Sequence, residues 1–563
     1  MAPRSALSSA RSRARLVPRI LVPVLLIVAV GLSALVVTPR HGTSAPDTWT
    51  FMVYMNGDNE LESFGIEDFL ELSSAGSTSD VNIVVQFDRI IGHDWSYGAW
   101  NTAKRFLVAK GMTPTAANST MDLGEVDMGN PATLTAFIDW TVKTYNTSHY
   151  VLDIWDHGGS WMGVSWDYTS GSFMDMGELD SALAGAGALN PGLKLDVIAF
   201  DACTMGTLEV AYQVMPFARY MVASEMSVPN PGFEYGGPLA ALDANPNMPV
   251  TEFTDEILSH YSEYYESLAG TPRWDLLNGS YSISVIDLQQ IAALSSAVND
   301  LSSELVSGMD LWVNHIKAAR AATEDHFGAS EHDSPDLQHF AENLAAIVPN
   351  ATIDLLASRV IAGVQAAVLN ETHGTNPLNC TEPVNHTNGI SIYFQPLSGT
   401  FDSTYVSTGV AFTNATTWDE MLQLYDSEWP VGYPTIMDFG PVGMDVPVEL
   451  IHVLFSEPMN EDSVWGAIVI SPVPTGFPSY FGTNGTFFQF PQGLVPGTTY
   501  NITITTDAMD LNGLHLKHNF TWQVTIAPEE IPEFHGATFP VLMVLALLLV
   551  AVWRRGPGKA IRK

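Results

Sequence analysis

Cysteine is nearly absent: the 563 residues hold Cys203 and Cys380 and no others. An exported scaffold stapled by disulfides carries more, so this fold rests on its core, with one bridge at most. The surroundings of Cys203 argue for a free thiol. Basic residues are the second shortage, 23 against 61 acidic ones, for a formal net charge of −38. Many of those few sit at the two ends, so the middle is more acidic than the total suggests. Such a surface repels phosphates and offers no counterion-releasing footprint, which excludes nucleic acid as a partner. A solvated acidic surface suited to salty water is the plain reading, and attraction of cationic substrates or calcium is the other. Hydrophobic residues make up 46% of the chain, which excludes general disorder, and the length calls for two or more domains.

The ends place the protein. Arg4, Arg11, Arg13, Arg15 and Arg19 precede the apolar run Ile20–Val37 with no acid among them, as in an export signal or signal anchor. Eighteen residues nearly span hydrocarbon, and Pro46 would follow a cut after Thr43-Ser44-Ala45, which favours an uncleaved anchor. At the other end Val541–Trp553 is apolar and Arg554-Arg555 follow at once. Positive flanks stay inside, so both ends point inward and residues from about 40 to 533 lie outside. Eleven Asn-x-Ser/Thr sequons, spread over the middle and absent from both tails, fit a glycosylated exported region. Pro532-Glu533-Phe534, the apolar span and the terminal basic cluster resemble the sorting tail of archaeal surface proteins. That resemblance implies a sorting enzyme that cuts residues 531–563 and leaves a lipid anchor. The expected location is the cell surface, with membrane anchoring at one or both ends.

Between the ends, dense apolar runs alternate with helical periodicity. Trp49–Met55, Val81–Phe87, Tyr150–Trp155 and Leu195–Phe200 read as buried strands, and Lys104–Ala109 as a further one. Gly57-Asp58-Asn59 offers capping side chains to a helix over 60–74, and Pro131 opens another. Residues 251–269, 288–307, 310–325, 335–348 and 353–369 read as helices, and Gly389–Phe394 returns to strand. Buried strands separated by helices call for an α/β fold with a mostly parallel sheet covered on both faces. From Pro430 the helical period disappears. Val448–Phe455, Ala467–Ile470, Phe487–Phe490, Tyr500–Thr505 and Phe520–Ile526 are short β-rich segments set apart by Pro and Gly, a β-sandwich pattern. The division is 1–45 signal or anchor, 46–429 α/β domain, 430–530 β-sandwich and 531–563 tail. Val453–Met459, Leu494–Tyr500 and Asp507–Gly513 resemble the Ig-like modules of surface proteins, which implies a spacer or adhesion role.

Ligands bind at the carboxyl ends of parallel strands. Two strands here run into reactive groups, one into Asp156-His157-Gly158-Gly159-Ser160-Trp161 and the other into Asp201-Ala202-Cys203-Thr204. In one sheet they face one cleft. A thiol needs a neighbouring base to become a nucleophile, and His157 is placed to serve Cys203. The glycines after His157 allow close backbone approach and their amides can hold an oxyanion. A helix starting after Cys203 would add N-terminal amides that favour thiolate.

Trp49–Glu62, Asp156–Trp161, Asp201–Met205 and Gly389–Phe394, four ordered motifs, resemble the clostripain-type cysteine peptidases. The resemblance implies a caspase-like α/β sandwich and cleavage of protein or peptide substrates. It implies His157 as acid/base, Cys203 as nucleophile, and the Gly158 and Cys203 amides as oxyanion hole, with no third carboxylate and no cofactor in the chemistry. It also implies that Asp201 binds Arg or Lys at P1, against a structural reading in which Asp201 caps a turn or the following helix. Ala223–Tyr235 is similar to the family's substrate-cleft segment. Calcium dependence is known in the family, but no local Asp/Asn spacing identifies ligands, so a metal site stays unassigned. Two departures stand out. Ser160 replaces a third glycine, and Lys194 is the only basic residue between His157 and Cys203, which puts self-cleavage there in doubt. The competing function is an inert adhesion or envelope protein on a peptidase-like fold, which would have no need of both His157 and Cys203.

Overall fold

The computed structural model describes residues 47–527 apart from 99, 269–270, 272–279, 325–333, 376–383, 396–399, 429–433, 441, 447–450, 457, 475–480, 483–486, 491–493 and 512. Ile20–Val37, Val541–Trp553, Pro532-Glu533-Phe534 and Cys380 lie outside the described residues. Among the described residues no helix is long and apolar enough to cross a membrane.

The apolar runs form the middle of a nine-stranded sheet. In chain order its region holds β1 (Trp49–Gly57), β2 (Val81–Arg89), β3 (Ala103–Leu107), β4 (Met121–Gly124), β5 (His149–Trp155), the hairpin β6 (Val164–Asp167) and β7 (Ser172–Met174), β8 (Leu195–Asp201), β9 (Ala218–Ala223), β10 (Ser280–Asp287) and β11 (Val368–Thr375). The sheet order is β11-β10-β9-β8-β5-β1-β2-β3-β4. The five central strands, β9 to β2, are parallel, and two antiparallel strands flank them on each side. The parallel core was expected. β9, β10, β11 and β4 were not, because serine takes every second position in the first half of β10 and the others are short or continue a helical pattern.

Both faces are covered. Along β1, Met52 and Tyr54 belong to one apolar cluster and Phe51, Val53 and Met55 to the other, the period of two expected of a strand buried on both sides. The second cluster is roofed by α1 (Glu62–Ala75), α5 (Gly236–Ala244) and α6 (Val250–Leu268). The first takes α2 (Pro131–Thr144), α3 (Met176–Leu189), α4 (Leu208–Val214), α7 (Ile291–Ser307), α8 (Met309–Ala322), α9 (Leu337–Ile347), α10 (Ala351–Ala367) and α11 (Trp418–Glu428). Asn130 caps α2 ahead of Pro131, and Asp175 with Glu178 forms a capping box on α3. At α1 the cap position falls on Leu61 with no side-chain bond. Asp58 and Asn59, expected to cap it, lie ahead of the cap: Asp58 Oδ1 accepts from Thr169 Oγ1, and Asn59 accepts from Leu61 N while donating to Asp156. Gly389–Phe394, expected as a strand, joins no sheet: Ser391 makes isolated bridges to Thr207 and Asp336.

The C-terminal module is a two-sheet sandwich, as its β-rich segments suggested. β12 (Ile436–Gly440), β14 (Ile451–Phe455), β17 (Phe487–Phe490) and β16 (Phe481–Gly482) make one sheet. β13 (Gly443–Val446), β19 (Phe520–Ile526), β18 (Thr499–Ile504) and β15 (Ile468–Ser471) make the other, and α12 (Glu461–Ala467) joins their common core.

Candidate active site

β5 and β8 are parallel neighbours with Trp155 opposite Asp201, so the residues after each strand leave the sheet at one edge. Asp156, His157, Asp201, Ala202 and Cys203 line one cleft, together with Leu61, Trp155 and the 228–232 loop. The two strand ends touch. A Cβ added at Gly158 would lie 2.1 Å from the Cys203 carbonyl oxygen and 2.9 Å from its nitrogen. Only glycine allows that approach. The hairpin beyond it bonds through Gly159 N to Gly163 O and Ser165 N to His157 O, so it does not engage the Gly158 N–H. The Gly158 N–H is thus left free of the hairpin, and the Gly158 and Cys203 backbones are in close contact beside the cleft.

Cys203 is a free, half-buried thiol whose Sγ lies 3.8 Å from Val228 O. Burial, above all, pushes its pKa up, and the nearby Asp201 carboxyl adds to this. The expected help from a helix N-terminus is absent. Thr204 takes a left-handed backbone at φ 57°, Thr204 N and Gly206 N bond back to Met226 O and Ser224 O, and α4 starts only at Leu208 under a Thr207 cap. A β-branched residue with positive φ costs about 1–3 kcal/mol, and strain of this kind concentrates at functional turns. His157 lines the same cleft, its Nε2 at 3.3 Å from Glu60 Oε1 and its ring parallel to Tyr168 at 6.5 Å between centroids.

The His157 strand end is held by groups not singled out from the sequence. Buried Asp156 accepts from Asn59 Nδ2 at 2.6 Å and Asn56 Nδ2 at 2.9 Å, which stitches the end of β1 to the end of β5. Asn56 also donates to Ser165 Oγ at 3.2 Å. Ser160 is buried with φ 56°, a left-handed backbone that favours glycine. Lys194 is exposed at the amino end of β8, away from the cleft.

Asp201 is buried, and it caps neither its own turn nor α4. Its Oδ2 accepts from Phe233 N at 2.8 Å and from Tyr235 Oη at 2.9 Å, and Tyr235 Oη also reaches Asp153 Oδ2 at 2.7 Å. Burial, then the charge of Asp153, push the Asp201 carboxyl up. Burial does the same to Asp153. Residues 228–232 of the Ala223–Tyr235 segment line the same cleft as His157, and Tyr235 is the residue in the segment that neither periodicity nor charge singles out. Away from this cleft, Asp58, Asp88 and Glu125 offer carboxylate oxygens within 4.8 Å of one another.

Residues 53–426 match the model of the Clostripain family, and residues 433–525 that of a bacterial Ig-like domain. Clostripain from Hathewaya histolytica is 31% identical over 229 residues, covering 35% of this chain and 43% of that protein, so the match spans under half of that curated relative. A secreted C11 cysteine protease from Bacteroides thetaiotaomicron, solved with an irreversible peptide inhibitor, is similar in fold. It is 21% identical with a TM-score of 0.51, over 66% of this chain and 99% of the other.

Proposed function

Because the chain belongs to the clostripain family, we propose that it is a cysteine endopeptidase in which His157 and Cys203 act as a dyad and Asp201 selects Arg or Lys at P1. The observation that supports this best is the backbone contact between Gly158 and Cys203, which brings the two strand ends together beside a cleft that His157 and Cys203 both line. In this reading the Cys203 thiol gives its proton to His157 and Sγ attacks the scissile carbonyl carbon. The oxyanion is received by the Gly158 and Cys203 N–H groups. His157 then protonates the leaving amine as the C–N bond breaks, and a water activated by His157 hydrolyses the thioester. A raised thiol pKa fits a proton that moves only when substrate arrives. A P1 guanidinium or ammonium beside Asp201 would lower its pKa, so that its proton is released to water and a charge-assisted pair forms.

The same reading makes residues 46–429 the peptidase domain, with the Ig-like module as a spacer at the cell surface. Export, glycosylation, anchoring and a sorting enzyme acting on the tail are supported by the sequence features of both ends and by the exposure of Asn118, Asn146, Asn370, Asn385, Asn414, Asn501 and Asn519. A biotinylated acyl-oxymethyl ketone bearing Lys or Arg tests nucleophile, activity and P1 preference together. Label on Cys203, lost in Cys203→Ala and weaker with a P1 Ala probe, is the expected result. Equal labelling of Cys203→Ala would overturn the dyad.

A further inference from the structure

A carboxylate stands beside the base of the proposed dyad, although the family resemblance calls for none. Glu60 lies in the turn between β1 and α1, and its Oε1 is 3.3 Å from His157 Nε2. That nitrogen is buried and has no hydrogen bond of its own, so the carboxylate waits at ion-pair distance. Glu60 is half-exposed, and among the described residues His157 is its one ion-pair partner.

The placement is held from two directions. Asn59 Nδ2 donates to Asp156 Oδ1 at 2.6 Å, so the residue before Glu60 is tied to the residue before His157. The Tyr168 phenol donates to the Glu60 carboxylate, and that bond, then burial, pushes the phenol up to about 12, which keeps it a donor. Tyr168 is fixed in turn. Its backbone N donates to Asp58 O at 2.9 Å, and its ring runs parallel to the His157 ring, with 10° between the planes. Carboxylate, phenol and imidazole thus form one group beside the cleft.

The partner of one imidazole nitrogen decides which nitrogen remains free to act as base. In the proposed reaction the Cys203 proton moves to His157, and positive charge appears on a ring whose Nε2 faces Glu60. A neutral ring gains little from a carboxylate at 3.3 Å, whereas an imidazolium gains a charge-assisted contact there. An interaction that strengthens as the reaction proceeds raises kcat and not affinity.

We propose that Glu60, held by Tyr168, is a positioning residue for His157. Its carboxylate keeps the proton of the neutral ring on Nε2, leaves Nδ1 to take the Cys203 proton, and pairs with the imidazolium that results. The proposal rests on the dyad reading and adds to it a side chain that acts only through His157.

The test uses the purified full chain and an Arg peptide. Glu60→Gln keeps the shape and removes the charge. Loss of a general base costs about 10²–10⁴, and water screens a half-exposed partner, so kcat should fall about tenfold with KM within about twofold. Tm should stay unchanged. Glu60→Asp should recover part of the loss, and Tyr168→Phe should lose less than Glu60→Gln does. The decisive measurement is the rate at which iodoacetamide alkylates Cys203, with His157 present and absent. Glu60→Gln should slow alkylation in the otherwise unsubstituted chain but not in His157→Ala, because a residue that acts through the ring has nothing to act on without it. An equal fall in both backgrounds would mean a structural role and reject the proposal, as would full activity in Glu60→Gln. Full activity in His157→Ala would instead sink the dyad itself, which keeps the two failures apart.

Discussion

At the scale of single residues, Gly158 is the most constrained position in the cleft. Any side chain there drives a carbon into the Cys203 carbonyl at 2.1 Å, and backbone rather than a flexible tip is the obstacle. Gly158→Ala should therefore displace one of the two amides from the oxyanion position. Losing one such donor costs about 10²–10³ in kcat. The expected outcome is a fall of that order in kcat, with Cys203 still alkylated by iodoacetamide; full activity would remove Gly158 from the oxyanion site. Asp201→Asn keeps the shape and the Tyr235 contact but removes the charge. A charge-assisted bond to a P1 cation is worth about 1.5–3 kcal/mol, so kcat/KM for Arg and Lys substrates should fall about ten- to a hundredfold more than for Gln or Ala ones. An equal fall across a P1 series would retire Asp201 as the selector. His157, Cys203 and Asp201 were legible because each follows an apolar run at a fixed offset, and parallel pairing carries such offsets to one edge. Tyr235, Asn56, Asn59 and Glu60 were not, because their meaning lies in what they meet across the chain.

At the scale of elements, the cleft is a seam between strand ends and one returning loop. Asp156 ties β5 to the Asn56–Asn59 turn, and Asp201 with Asp153 ties β8 and β5 to the loop ending in Tyr235. This loop, likened to a substrate-cleft segment by its resemblance, lines the cleft at 228–232, yet its anchoring carboxyls are invisible to periodicity, which reads apolar spacing only. The helix expected directly after Cys203 failed for a related reason. Thr204 and Gly206 turn the chain back to 224–226 before Thr207 can cap α4, and such long-range backbone bonds leave no local pattern. The carboxyl seam has a consequence for pH. Asp201 and Asp153 are raised in the folded state, so the folded chain keeps protons that the unfolded chain has released, and stability falls as pH rises. The window opens near the ordinary Asp value of about 4 and closes near about 8, where folded Asp201 ionises. Melting of the Cys203→Ala chain across this range should show Tm declining with pH, and Asp201→Asn should flatten the slope. A slope unchanged by that substitution would mean that Asp201 ionises normally in the fold.

At the scale of the whole molecule, the texture change at Pro430 separates two cores, but the cores are not indifferent to each other. Trp312 on α8 packs against both, and the His315 ring on the same helix meets Phe439 of β12 edge-on at 6.2 Å. His518 Nε2 lies 2.7 Å from Asp310 Oδ2 across the same seam. That pair is partly exposed and, as a surface ion pair, contributes about 0–1 kcal/mol, so the apolar contact carries most of the docking. Removal of residues 430–533 therefore has two expected effects that pull apart. It uncovers Trp312 and its neighbours, which should lower Tm and promote association of the 45–429 fragment, and Trp312→Ser should restore solubility. It leaves His157, Gly158, Asp201 and Cys203 untouched, since their partners, from Glu60 to Tyr235, all lie in the first domain. On a short Arg or Lys peptide, kcat/KM should thus stay within about threefold of the full chain, because an unchanged site keeps the same transition-state contacts. Size-exclusion chromatography, melting and steady-state rates on the one fragment check both halves. A monodisperse fragment that melts like the full chain would deny the docking, and a folded fragment without turnover would make the Ig-like module part of the enzyme.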